Sequence, residues 1–281
     1  MKVLVTGASG MVGRAVVQHC SEAGDEVLAR DHAQLNIADW PSVLREFQET
    51  SPSAVINCAA WTDVDGCERD PERSDAANAT GPQNLARAAV NSNSAFVTIS
   101  TDYVFAGDKE GFYTQDDEPR PISVYGKSKL LGEQEACAAY PGTIVVRSGF
   151  IFGPGGRNFL SKINEPLREG KQVGAISDAW GTPTYAIHLA RRLRELAQLN
   201  RPGIYHVVND GAGVTYEEFA RFVSQEVGAD SSLVRGVLSA TLHRPAPRPR
   251  NSRLKCLVSP TVGLVPLPDW RVAVREYLSS S

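Results

Sequence analysis

The chain has 281 residues, 29 basic and 32 acidic side chains, and a formal net charge of −3. With 42% hydrophobic and 22% charged residues it has globular composition, which excludes a disordered chain. The near-neutral balance excludes a general field for nucleic acid or anionic membrane, and no apolar run approaches the ~20 residues of a membrane span. At ~100–200 residues per domain the length fits one large α/β unit or two associated domains. Cys20, Cys58, Cys67, Cys137 and Cys256 are scattered without CxxC spacing, so they read as reduced thiols in a cytoplasmic protein. His19, His32, His188, His206 and His243 show no metal-ligand spacing.

Taken in chain order, residues 3–6 are a short β-branched strand followed by Gly7-x-x-Gly10-x-x-Gly13 and a helical pattern that Gly24 stops near residue 23. Residues 26–30 form a second strand. Pro41 opens a helix over 40–49, and residues 54–57 form a third, buried strand. An Ala-rich helix covers 71–92, with a break expected at Gly81-Pro82. Residues 95–99 and 143–147 are strands, with a helix over 125–139 between them. Apolar strands alternating with helices predict a Rossmann-type, doubly wound parallel sheet covered on both faces.

Beyond residue 150 the pattern turns irregular. Strands are expected over 172–176 and 203–208, and helices over 186–199 and 215–227. Residues 243–251 hold Pro245, Pro247 and Pro249, so neither regular helix nor central strand is expected there. The expected plan is a dinucleotide-binding domain over 1–150 with a return segment near 185–208. A smaller substrate-binding lobe would take 151–184 and 209–281.

The glycine loop follows the first strand and opens a helix. Gly7 allows the tight turn, Gly10 a close approach to a pyrophosphate, and Gly13 the packing of helix on sheet. Ser9, Met11 and Val12 complete this loop and first turn, whose free N–H groups and dipole favour phosphate. Arg30-Asp31 ends the second strand. A carboxylate there binds the 2′-hydroxyl of NAD, while an arginine accommodates the 2′-phosphate of NADP. With both present the reading favours NADPH and leaves NADH open. Cys58, Ala59 and Ala60 close the third strand with small side chains that let a cofactor lie close.

Tyr125 and Lys129 are four residues apart on one helix face, and Thr101 follows the fourth strand at the carboxyl edge of the sheet. Adding hydride to a carbonyl leaves an alkoxide that needs a proton donor, and Tyr125 can supply it. A tyrosine titrates near ~10, and a neighbouring Lys129 ammonium is expected to lower that value. Thr101 can hydrogen-bond the same oxygen.

These pieces, together with Asn57-Cys-Ala-Ala-Trp-Thr-Asp-Val-Asp65, Asn78-Ala-Thr-Gly-Pro-Gln-Asn-Leu-Ala86, Ser100-Thr-Asp-Tyr-Val-Phe105, Tyr125-Gly-Lys-Ser-Lys-Leu-Leu-Gly-Glu133, Gly155-Gly-Arg-Asn-Phe159 and Arg248-Pro-Arg-Asn-Ser252, give a chain that resembles the dTDP-4-dehydrorhamnose reductase family. The resemblance covers nearly the whole length. It implies reduction of the 4-keto group of a dTDP-4-keto-6-deoxysugar, with Thr101, Tyr125 and Lys129 catalytic. It implies that Asn36, Ile37 and Asp39 lie near the adenine. It places Thr62, Val64, Asp102, Tyr103, Phe150 and Asn158 by the sugar, and Arg248, Asn251 and Ser252 by the pyrophosphate, leaving Arg244, Arg250 and Arg253 as surface charges. Tyr103 stands where related dehydratases carry Glu, which favours simple carbonyl reduction. Phe150 takes the place of a family Trp and Gly149 removes a side chain, so a keto-deoxysugar other than the rhamnose precursor fits equally well. The regulatory β subunit of methionine adenosyltransferase resembles the same family, so a non-catalytic NADP-binding subunit is the second reading. A homodimer and a monomer are both open.

Overall fold

The computed structural model of the chain describes residues 1–280. Five apolar runs become strands: β1 Lys2–Thr6, β2 Glu26–Arg30, β3 Ala54–Asn57, β4 Ala95–Thr101 and β5 Thr143–Ser148. With Gly203–His206 they form a six-stranded parallel sheet in the order Gly203–His206, β5, β4, β3, β1, β2. The chain reverses its direction across the sheet between β1 and β3, so the crevice at their carboxyl ends is a topological switch point. β2 is the outer edge, with a single helix, α2 Trp40–Thr50, leading from it to β3.

Both faces of the sheet are buried, and alternation along each strand sorts the side chains. Val3, Val5, Ile56, Val97, Ile144 and Val146 point to one face. There they meet Val16 of α1 Met11–Glu22 and Leu189, Leu193 and Leu196 of the helix Ala186–Leu199. Leu4, Val55 and Phe96 point to the other, against Val43 and Phe47 of α2 and Leu85 of the helix Gly81–Ser92. Each such burial is worth roughly 1.5–3 kcal/mol.

A second core gathers Phe152, Leu160, Ile163, Leu167, Phe219, Val223, Trp270 and Val274. They come largely from the helices Phe159–Arg168, Tyr216–Glu226 and Trp270–Ser279, beside a parallel pair of strands, Val173–Ile176 with Val234–Val237. Among the described residues, no helix is long and apolar enough to cross a membrane.

The expected break at Gly81-Pro82 is absent. The helix Pro71–Asp75 runs through a π turn, Ala76–Thr80, into Gly81–Ser92. Proline has no N–H to offer the carbonyl four residues back and crowds it in a regular helix. That carbonyl, of Asn78, instead lies against Gly132 of the helix Val124–Ala139, where any side chain would collide with it. The π turn thus absorbs what a kink would otherwise relieve. Three helices longer than four residues escape the sequence pattern. Val64–Arg69 is short, Phe159–Arg168 contains Pro166, and Trp270–Ser279 follows a stretch without periodicity. The second of these is held by a capping box in which Asn158 accepts from the Ser161 N–H and Ser161 from that of Asn158.

Candidate active site

The three glycines of the first loop answer to different constraints. Gly7 has φ +65°, a left-handed conformation, and a side chain there would run into the Cys58–Ala59 backbone at the end of β3. At Gly13 a Cβ would meet the Gly7 carbonyl. Gly10 is the N-cap of α1 and offers no side-chain cap, which leaves the N–H groups of the first turn free for an anion. Beside them a cavity of about 480 Å³ is lined by Gly7, Ser9, Gly10, Asn36, Ile37, Cys58, Ala59 and Ala60. It shares Gly10, Cys58, Ala59 and Ala60 with a second cavity of about 400 Å³ that also takes in Met11 and Val12. An uncapped helix start at the junction of two cavities fits a dinucleotide laid across the switch point.

The Arg30-Asp31 reading needs correction. Arg30 Nη2 is 3.0 Å from Glu46 Oε1, and Arg30 Nε donates to Oε2 at 3.1 Å. Asp31 Oδ1 accepts the N–H groups of Ala33 and Gln34 in a tight turn. Neither residue lines the adenosine-side cavity. His32 and Arg73 do, with the Arg73 guanidinium 4.4 Å over the Trp61 ring. A charge at a strand end is spent on whichever element packs beside it, and here that element is α2.

Thr101, Tyr125 and Lys129 line the 400 Å³ cavity together. Thr101 Oγ1 donates to Asp102 Oδ1 at 3.0 Å and accepts the Tyr103 N–H at 3.1 Å. The helix Val124–Ala139 starts at Ser123, whose hydroxyl accepts the Gly126 N–H, and this sets Tyr125 and Lys129 one turn apart. Lys129 is buried and donates from Nζ to the Ile99 carbonyl at 2.7 Å. Burial lowers its pKa to about 8, opposed by the Glu133 carboxylate. Burial pushes the Tyr125 phenol up, with a Thr101 hydrogen bond pulling the other way and the Asp102 charge adding to the rise. The expected lowering by Lys129 is therefore reversed here. The ammonium is turned to a backbone carbonyl, and burial keeps Tyr125 a neutral phenol. Behind the helix, Glu133 accepts from Arg147 Nη2 at 2.6 Å and from Ser100, a buried ion pair that fixes the helix to β4 and β5.

On the far side of Thr101, Asp102 is almost fully buried and accepts from Thr101 and Ser252, and burial raises its pKa to about 6. A Cβ at Gly149 would land on its carboxyl group, so the lost side chain makes room for Asp102. Phe150 follows with φ +46° and stacks on Tyr216 at 4.2 Å between centroids. Thr62, Val64, Asp102, Tyr103, Phe150 and Tyr216 all line the 400 Å³ cavity. Tyr103 and Tyr216 also border an adjoining cavity of about 290 Å³ that holds Trp180, Arg244, Arg248, Arg250 and Ser252. Arg244 and Arg250 are exposed, as expected, and also line this cavity. Arg248 donates from Nη1 to Asp65 at 2.6 Å and to the Ala246 carbonyl at 2.7 Å, and the ion pair holds the Asp65 carboxyl down to about 2.

Two expected substrate residues do not reach these cavities. Asn158 caps its helix and donates to the Gly153 and Gly156 carbonyls. Asn251 donates to the Lys109 and Gly111 carbonyls and borders an outer groove instead. Both amides are consumed by main-chain groups that only the folded loops bring to them. Sequence reasoning missed Tyr216 and Trp180. The Thr215–Glu218 capping box marks the helix start but says nothing of where the ring points.

The RmlD substrate binding domain model matches residues 1–281. The dTDP-4-dehydrorhamnose reductase of Mycolicibacterium smegmatis is 38% identical over 99% of this chain and 85% of its own length. A probable dTDP-4,6-dihydroxy-2-methyloxan-3-one 4-ketoreductase of Streptomyces antibioticus is 36% identical over 98% of this chain and 94% of its own. The crystal structure of dTDP-4-dehydrorhamnose reductase from Bacillus anthracis in complex with NADP superposes with a TM-score of 0.95 at 29% identity, covering 100% of both chains. With its glycine loop, its Thr101–Tyr125–Lys129 cavity and this match along the whole length, the chain belongs to the dTDP-4-dehydrorhamnose reductase family.

Proposed function

We propose that the chain reduces the 4-keto group of a dTDP-4-keto-6-deoxysugar, using NADPH in preference to NADH. The observation that carries this reading is the single cavity holding Thr101, Tyr125, Lys129 and the glycine loop. Gly7, Ser9, Gly10, Met11 and Val12 would hold the cofactor's phosphates, with Asn36, Ile37, Cys58, Ala59 and Ala60 along its adenosine side. When bound, the reduced nicotinamide supplies the hydride that the sugar C4 accepts.

Hydride at C4 turns the carbonyl oxygen into an alkoxide. Tyr125, a neutral phenol in its buried setting, gives that oxygen its proton, and Thr101 hydrogen-bonds the same oxygen to orient it. The phenolate left behind is offset by Lys129, a buried cation on the same helix face, until solvent restores the proton. Arg244, Arg248 and Arg250 supply guanidinium forks suited to a diphosphate. The sugar itself is the dTDP-linked 4-keto-6-deoxyhexose class. Intact Thr101, Tyr125 and Lys129 around one cavity favour an enzyme over a cofactor-binding subunit. Five unpaired cysteines suit a reducing cytoplasmic setting.

The test is loss of reduced-nicotinamide absorbance with dTDP-4-keto-6-deoxy-L-mannose generated in situ, first with NADPH and then NADH. Turnover that vanishes in Tyr125→Phe supports the reading. No sugar-dependent oxidation despite NADPH binding would overturn it.

A further inference from the structure

Tyr216 sits where two cavities meet. It lines the space around Tyr125 and Thr101, and it lines the space around the arginines of residues 243–252. A nucleotide sugar reaching from the arginines to Tyr125 must pass it, with the sugar ring spanning the junction. The residue is the first of the helix Tyr216–Glu226, whose start is fixed by reciprocal hydrogen bonds between Thr215 and Glu218. Its ring is stacked on Phe150 at 4.2 Å and edge-on to Phe159 at 5.0 Å. Phe150 in turn is held at φ +46°, a conformation a bulky side chain seldom adopts, by its carbonyl's hydrogen bond from the Thr184 N–H at 3.1 Å. The aromatic end of Tyr216 is thus clamped. Tyr216 shares one cavity with Asp102 and the other with Arg244 and Arg248.

Resting on the ketoreductase reading for its ligand, we propose that the Tyr216 hydroxyl hydrogen-bonds a ring hydroxyl of the sugar and so sets which dTDP-sugar the site accepts. Tyr216→Phe removes that one oxygen and keeps the ring on Phe150, so the fold is preserved. The measurement is equilibrium binding of dTDP-L-rhamnose and of dTDP, which lacks the sugar, each to the NADP-loaded protein. One hydrogen bond is worth ~2–12-fold in affinity. Tyr216→Phe should weaken dTDP-L-rhamnose within that range and leave dTDP unchanged. Equal weakening of both ligands, or of neither, overturns the proposal. The readout involves no turnover, so a protein that binds the sugar through Tyr216 yet oxidises no NADPH refutes the ketoreductase reading and leaves this inference standing. A wild-type protein that binds dTDP-L-rhamnose no better than dTDP refutes the inference outright.

Discussion

Replacing Glu133 with alanine isolates the most consequential buried charge in the molecule. Glu133 accepts from Arg147 Nε and Nη2 and from the Ser100 hydroxyl, and both partners of the ion pair are about 3–4% exposed. Without the carboxylate, Arg147 keeps the Phe105 ring, 5.2 Å from its guanidinium, but loses its counter-charge. An uncompensated buried charge of this kind costs about 3–5 kcal/mol against a total stability of about 5–15 kcal/mol. At a urea m-value of about 3 kcal/mol/M, the unfolding midpoint should fall by roughly 1–1.7 M. The double variant Glu133→Leu, Arg147→Met should recover most of that loss, because an apolar pair of similar volume needs no desolvation. Urea titration followed by circular dichroism reads both. A midpoint shift below about 0.3 M in Glu133→Ala, or a double variant weaker than the single one, would refute the claim that the charge pair, and not its packing, is what the site depends on.

Other outcomes follow from the same geometry. Tyr125→Phe should lower kcat by ~10²–10⁴-fold while NADPH affinity, read by fluorescence quenching, stays unchanged. Asp102 binds its proton more tightly in the folded protein, to about pH 6, than in the unfolded chain, near ~3.9. Its contribution to stability is therefore lost as pH rises from 4 to 6, and on the order of 3 kcal/mol is missing above pH 7. Melting curves should show Asp102→Asn gaining on the wild type across that window, and a gap independent of pH would refute the assignment. Arg30→Ala should change the affinity for NADP by less than about 2-fold, since its guanidinium is already engaged by Glu46. A loss of tenfold or more in a titration calorimeter would restore Arg30 to the 2′-phosphate.

The dinucleotide half was legible because its determinants are local. A buried parallel strand reads as a short apolar run, as at 54–56, and a helix that covers it must repeat its apolar face, as Leu189, Leu193 and Leu196 do. Gly13 is needed by a contact with the Gly7 carbonyl within the same loop, and Gly7 by the left-handed turn it makes there. The meeting of Thr101, Tyr125 and Lys129 at one cavity was legible for the same reason, since Tyr125 and Lys129 share a helix and Thr101 ends a strand. What failed were residues whose partners lie far along the chain. Arg30 meets Glu46, and Asn251 meets Lys109 and Gly111. No spacing rule carries such information. Asn158 carried a familiar motif, but its amide caps a helix, which Pro166 had hidden from the periodicity. The direction of the Tyr125 shift was missed because it is set first by how deeply the fold buries the phenol, which no spacing reveals.

The strand Gly203–His206 enters the main sheet only after the chain has visited the second core, and it lies along β5. Just before it, the helix Ala186–Leu199 lays Leu189, Leu193 and Leu196 over Val3, Ile56 and Val97. A fragment ending near residue 150 would therefore carry every glycine of the first loop together with Thr101, Tyr125 and Lys129, yet it would expose an unpaired β5 edge and half of its apolar face. Such an edge is a template for association with other chains. The two halves can be distinguished by what they line but cannot be severed by one cut, and any minimal version of this protein has to keep the return segment.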